Sequence, residues 1–182
     1  MLLAIDTATR WLGLALYDGT AVLGEMGWRC RNNQTVELAP AVTDLLGRVG
    51  TNMAELDAIA VANGPGSYTG LRIGLAFAKG IALANRIKLI GVPTLDIVTA
   101  AFGQLNRPLI SVAEAGRTRV LAATYHWAGR SGWQAEEPPL LETWENVIVA
   151  APETAVFAGE IASEAATKLR TAGKGFRVAS PA

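Results

Sequence analysis

Asn63-Gly64-Pro65-Gly66-Ser67-Tyr68-Thr69-Gly70-Leu71-Arg72-Ile73-Gly74 decides how this chain folds. The stretch before it, Asp57 to Ala62, reads as a buried strand, and an apolar helical pattern runs out of it to about Arg86. A strand, a glycine-rich turn and a helix in that order make an α/β crossover. Gly64, Gly66 and Gly70 permit backbone angles and close approaches that a Cβ forbids, and Ser67 or Thr69 can cap the helix. Free N–H groups at such a helix start can hold an anion, so Gly64, Gly66, Ser67 and Thr69 are candidate contacts for a phosphate or nucleotide. The spacing is neither the phosphate loop ending in Lys-Ser/Thr nor the dinucleotide Gly-x-Gly-x-x-Gly. The other open reading is a tight strand-to-helix crossover with no ligand.

Working outward, Leu2 to Ile5 and Leu12 to Tyr17 read as strands, and Asp18-Gly19 makes a hairpin turn into a third from Ala21 to Trp28. Leu38, Val42, Leu45, Leu46 and Val49 recur at steps of three and four, which predicts a helix ending near Gly50 with Pro40 near its start. Leu89 to Val92 reads as a strand and Thr94 to Phe102 as a short helix. Glycine, asparagine and proline between Gly103 and Pro108 suggest a boundary, giving lobes of residues 1–103 and 104–182. The second half begins again with strands Leu109 to Ala113 and Val120 to Trp127 around a turn at Gly116, and a third at Trp133. Thr143 caps a short helix, and Thr154 to Ala158 is a strand before a helix from Glu160 to Arg170. The fold class is α/β, with two related lobes.

The helix from Thr69 to Arg86 has no single apolar stripe, because Leu71, Ile73, Leu75, Phe77, Ile81 and Leu83 spread around its circumference. Gly70, Gly74, Ala78 and Ala82 recur every fourth residue and form a ridge along which another backbone can come close. The first helix of this chain or a partner protein can supply that cover. Arg72 and Lys79 lie seven apart and share a face, where they are solvated, paired with a partner's carboxylates, or turned to an anionic ligand.

Lysine plus arginine and aspartate plus glutamate both number 16, so no net charge drives an unaided grip on nucleic acid. The 182 residues are 51% hydrophobic, enough for a real core, and Cys30 is the only cysteine, which rules out an internal disulfide and suits a reducing, cytoplasmic compartment. Lys79 breaks the longest apolar run, which argues against a membrane span. With His126 as the only histidine, a metal site using two imidazoles cannot form. Ser67 lies in Gly-Ser-Tyr-Thr-Gly, not in a nucleophile elbow, and nothing near Cys30 suggests activation, so no peptidase chemistry is visible. Asp6 ends the first strand. There it either holds phosphate and magnesium, as an actin-like or sugar-kinase ATPase would, or bonds its own turn as an Asx motif.

Leu-Leu-Ala-Ile-Asp-Thr-Ala-Thr at 2–9, the stretch 60–74, Ala-Lys-Gly-Ile-Ala-Leu-Ala at 78–84 and Gly-Val-Pro-Thr-Leu at 91–95 together resemble the TsaB family, also called YeaZ. The resemblance implies an actin-like/sugar-kinase ATPase-type fold, two lobes with mixed sheets flanked by helices. It also implies a non-catalytic role in making threonylcarbamoyladenosine on tRNA, in which TsaD catalyses and this subunit supports it. Implied partners are TsaD, TsaE, tRNA only through the complex, and a second copy when alone; no cofactor or metal is implied. The helical bundle of that family places its interface here on Leu38, Val42, Leu45, Gly70, Leu71, Gly74, Leu75, Phe77, Ala78 and Ala82. An ATP-binding or ATP-hydrolysing enzyme built on Asp6, Gly66 and Ser67 is the alternative. The chain departs from the family at Glu114-Ala115-Gly116-Arg117, where an Asp-Ala-Arg turn is usual, and at Asn33-Gln34-Thr35-Val36-Glu37, where a histidine-serine-glutamate segment is common.

Overall fold

Strands β1 (Leu2–Asp6), β2 (Trp11–Tyr17) and β3 (Val22–Arg29) open the chain as an antiparallel meander. The computed structural model describes residues 1–30, 33–116 and 119–179. The β2–β3 turn forms because the Asp18 carboxylate accepts the N–H groups of Thr20 and Ala21, at 2.7 and 2.8 Å, while Gly19 takes a φ of 104°. Helix α1 (Gln34–Val49) follows and ends at Gly50, whose left-handed φ of 77° turns its N–H back to Gly47. Pro40 is the seventh residue of α1, not near its start as the sequence suggests. The helix begins a full turn earlier than the Leu38 periodicity marks it.

β4 (Ala58–Ala62), α2 (Tyr68–Asn85) and β5 (Lys88–Val92) complete the first unit in the order β3-β2-β1-β4-β5, with β1, β4 and β5 parallel. Side chains alternate across this sheet. Leu3, Ile5, Leu12, Leu14, Leu16, Ile59 and Val61 point to one face and pack with Leu38, Val42, Leu45 and Leu46 of α1 and Ala78 of α2 in one apolar cluster.

The second unit uses β6 (Leu109–Glu114), β7 (Arg119–Trp127), β8 (Trp133–Ala135), β9 (Leu140–Thr143), β10 (Val156–Gly159) and β11 (Arg177–Val178). Its order is β11-β10-β6-β7-β8, with β9 also on β7. That repeats the first sheet strand for strand: β6 stands where β1 does, β10 where β4 does and β11 where β5 does. Helices α4 (Trp144–Ala150) and α5 (Ser163–Thr171) pack on one face with Ile110, Val112 and Phe157, whereas α3 (Thr94–Ala100) packs on the other with Leu109, Ala113 and Tyr125. Thr143 caps α4 by accepting from the Asn146 N–H, and the Lys174 ammonium closes its far end on the carbonyls of Ile148, Val149 and Ala151. Two mixed sheets flanked by helices are the α/β arrangement of two related lobes expected from the sequence.

Residues Met1–Pro93 form one compact unit and the chain from Thr94 onward the second. The sequence boundary at 103/104 would place α3 in the first lobe, but its contacts are with β6, β8 and β10. β10 starts at Val156 and α5 at Ser163, each later than the sequence suggests. Gly159 has a φ of 112° and the Glu160 N–H is given to the Val112 carbonyl, so the helix cannot begin there. Among the described residues no helix is long and apolar enough to cross a membrane.

Candidate functional site

Because β1 and β4 run parallel, the turns that follow them emerge at the same edge of the sheet. The Thr7–Arg10 turn therefore lies beside the glycine-rich turn, and the two fill one another. The Ser67 N–H donates to the Ala8 carbonyl at 2.6 Å, and the Thr7 hydroxyl donates to the Gly70 carbonyl at 2.8 Å. A Cβ at Gly66 would overlap the Ala8 carbonyl oxygen, one at Gly70 the Thr7 carbonyl oxygen, and one at Gly74 the Thr7 hydroxyl. These glycines are required by a close approach of the chain to itself.

That contact fits the other reading of the loop, a tight strand-to-helix crossover. Ser67 is the N-cap of α2, its Oγ accepting from the Gly70 N–H at 3.2 Å, and its carbonyl takes the Leu71 N–H. Thr69 is exposed on the first turn and is not the cap. Gly64 turns the chain with a φ of 109° before a cis peptide to Pro65, with Leu71 packed beside it. Two backbone carbonyls, partial negative charges, face the glycines where a phosphate cradle would present donors. Asp6 takes the Asx form: its Oδ1 accepts the Ala8 N–H at 2.8 Å, and burial raises its carboxyl above the ordinary carboxylate range against the opposing effect of that bond.

The small-residue ridge of α2 is likewise filled by the chain itself. Gly70, Gly74, Ala78 and Ala82 are buried, and α2 is covered on that side by the chain itself: the Thr7 turn, α1, β1, β4 and β5. Leu38, Val42 and Leu45 are at most 2% exposed and belong to the core of the first unit. Leu75 and Phe77 pack half-buried against the same core, and Leu71 is half-buried. None of these ten residues lies fully open to a second molecule. The open face of α2 is the opposite one, carrying Tyr68, Arg72, Ala76, Lys79, Gly80 and Leu83, with Leu83 82% and Tyr68 68% exposed. Val36 on α1 is exposed to a similar degree. The Arg72 guanidinium lies 4.0 Å from the centre of the Tyr68 ring, a cation–π contact that orders both.

Elsewhere the chemistry is sparse. Cys30 is buried and burial pushes its thiol up, away from nucleophilic use. His126 is exposed on β7 opposite Gln134. Among the described residues no group of three histidine, cysteine, aspartate or glutamate side chains could hold a metal. The family departure at Arg117 falls outside the described residues. What the sequence reading missed is the part played by Thr7 and Ala8. No local sequence signal marks it, because the turn after β1 meets the turn after β4 only once those two strands pair in parallel.

Comparison with known proteins points one way. Residues 29–170 match the family described as TsaD: tRNA N6-adenosine threonylcarbamoyltransferase. The chain is 36% identical over 155 residues to the tRNA threonylcarbamoyladenosine biosynthesis protein TsaB of Escherichia coli, covering 84% of this chain and 63% of that one. It is 34% identical over 126 residues to the protein of the same name from Bacillus subtilis, covering 69% and 55%. Its fold resembles that of YeaZ from Pseudomonas aeruginosa with a TM-score of 0.76 at 25% identity, covering 87% of this chain and 75% of that one. The chain thus spans a little over half the length of these two curated relatives.

Proposed function

This chain belongs to the TsaB (YeaZ) family, and from that premise we propose that it is a non-catalytic subunit of the machinery that forms threonylcarbamoyladenosine on tRNA, supporting TsaD. The observation that carries the proposal is the self-filled glycine turn. The loop that would grip phosphate in an ATP-using relative of the fold is occupied here by the Ala8 and Thr7 carbonyls. What the first unit offers instead is a helix face: Tyr68, Arg72, Ala76, Lys79 and Leu83 of α2. We assign the TsaD contact to this outward face in place of the buried ridge. TsaE and tRNA are then reached through the complex, in the cytoplasm, and the same face supports self-association when TsaD is absent.

Reconstitution tests the reading. Threonylcarbamoyl transfer to tRNA is measured with TsaD, TsaE and ATP, with and without this chain, and the rate is expected to depend on its presence. An unchanged rate refutes the role. Calorimetry with magnesium-ATP separates the enzyme alternative: micromolar binding with turnover by this chain alone would support catalysis built on Asp6, Gly66 and Ser67.

A further inference from the structure

The second unit holds a cavity of about 480 Å³, bounded by β7, the chain from Glu136 to Leu140, and α4. Register explains how it forms. β7 pairs with β8 through Tyr125 and Ala135 and with β9 through Ala122 and Leu140, so the residues from Glu136 to Pro139 must leave the sheet beside Ala123 and Thr124. The Glu136 N–H still reaches the Thr124 carbonyl at 2.9 Å, but Pro138 and Pro139 have no N–H with which to extend the ladder. The walls are small: Ala122 and Ala123 on β7 and Ala150 and Ala151 at the end of α4 leave open the volume that longer side chains would fill. Ile110 and Val147, both buried, give the space an apolar floor, and Leu140 and Val149 stand at its rim, 57% and 78% exposed.

Three carboxylates line the same space, Glu136, Glu137 and Glu142, and no lysine, arginine or histidine does. Among the described residues none of the three has an ion pair. Glu142 is half-buried and held in place, its Oε2 accepting from the Asn146 side-chain amide at 2.8 Å. The Lys174 ammonium is already committed to the carbonyls of Ile148, Val149 and Ala151 and does not line the cavity. Uncompensated acids repel phosphate and other anions, which turns nucleotides and tRNA away from this space. An apolar floor rewards methylene groups, and carboxylates beside it reward cations carried on the same chain. Cavities of roughly 300–1,000 Å³ take one small molecule, and three acids call for more than one positive charge on it. We propose that the cavity binds a short aliphatic polyamine, its methylenes along Ile110, Ala122 and Val147 and its ammonium groups against Glu136, Glu137 and Glu142. The site lies wholly within the second unit, so its occupancy is independent of the subunit role.

Titration calorimetry with spermidine tests the site on wild-type protein, the neutral pair Glu136→Gln/Glu137→Gln and the cavity-filling Ala150→Leu, with octanediol as an uncharged chain of similar length. Circular dichroism and thermal melting serve as folding controls, since Glu136, Glu137 and Ala150 are all exposed. Wild-type protein is expected to bind spermidine with a dissociation constant below about 1 mM at low salt, to bind it more weakly as salt rises, and to melt at a higher temperature in its presence. The neutral pair is expected to weaken binding by roughly tenfold or more, and Ala150→Leu to weaken it as much by occupying the space with every acid intact. Undetectable binding by the wild type overturns the proposal. Binding that survives either the neutral pair or the filled cavity does so too, because the amine is then held by acids elsewhere or without them. Equal affinity for octanediol would make the pocket purely apolar and remove the role of the carboxylates. An oligolysine peptide supplies the rival outcome: its binding where spermidine fails would make the mouth a docking surface for a basic polypeptide and overturn the small-molecule site.

Discussion

The two sheets share one strand order and are covered differently. Within the first unit α1 and α2 lie on a single face, so β1 alternates half-buried and buried side chains. In the second unit α4 and α5 lie on one face and α3 on the other, so β6 is buried from Leu109 through Ala113. Counterpart positions make the contrast concrete: Leu2, Ala4 and Asp6 on β1 hold the places that Leu109, Ser111 and Ala113 hold on β6. A carboxylate stands in the half-covered sheet where the doubly covered one has alanine. Where a polar group does enter the second sheet's inner layer it is paired, the Ser111 hydroxyl donating to the Leu95 carbonyl of α3 at 3.1 Å.

If coverage sets tolerance, the same truncation will cost unequal amounts in the two sheets. Leu109→Ala, at a fully buried site, is expected to destabilise its unit by about 2–5 kcal/mol, and Leu2→Ala by about 1 kcal/mol or less, read from urea midpoints. Equal losses would break the comparison. The next effect sharpens it within α2, whose inner side presses on a strand end while its outer side is free. Gly70→Ala is expected to lose about 1–3 kcal/mol because the Thr7 carbonyl must move, whereas Gly80→Ala gains up to about 1 kcal/mol of helix propensity, both by thermal melting. Similar responses would mean that the inner side is not tightly seated.

The smallest effect concerns Asp6. Since burial raises its carboxyl above the unfolded value of 3.8, ionisation disfavours the fold; stability is fullest with Asp6 protonated and falls as pH climbs from 3.8 through the higher folded value. Asp6→Asn keeps an Oδ1 for the Ala8 N–H and is expected to remove that decline, leaving the variant slightly more stable than wild type at pH 7 but not at pH 3. Parallel curves for the two proteins would show that the site is solvated like any surface carboxylate.

Periodicity made most of the fold legible, because one covered face imposes alternation on strands such as Leu2–Asp6 and steps of three and four on α1. β9 and β11 were not legible. Leu140–Thr143 follows two prolines and leads directly into a helix, and Arg177–Val178 is two residues long, so neither offers a repeat. The orientation of α2 was hidden for another reason. A helix apolar all round has no stripe to read, and the side its glycines take is set by Thr7, more than sixty residues away in the sequence and adjacent only after β1 and β4 pair. The pattern of small residues therefore marked a tight contact correctly while leaving its partner undetermined.

The bond from the Thr7 hydroxyl to the Gly70 carbonyl, with glycine backbone pressed on either side of it, works as a rivet without play. Whatever leans on the outer flank of α2 is transmitted to the tip of the meander, and a displacement of the helix by even a fraction of an ångström has to carry Thr7, Ala8 and the neighbouring carboxylate along with it.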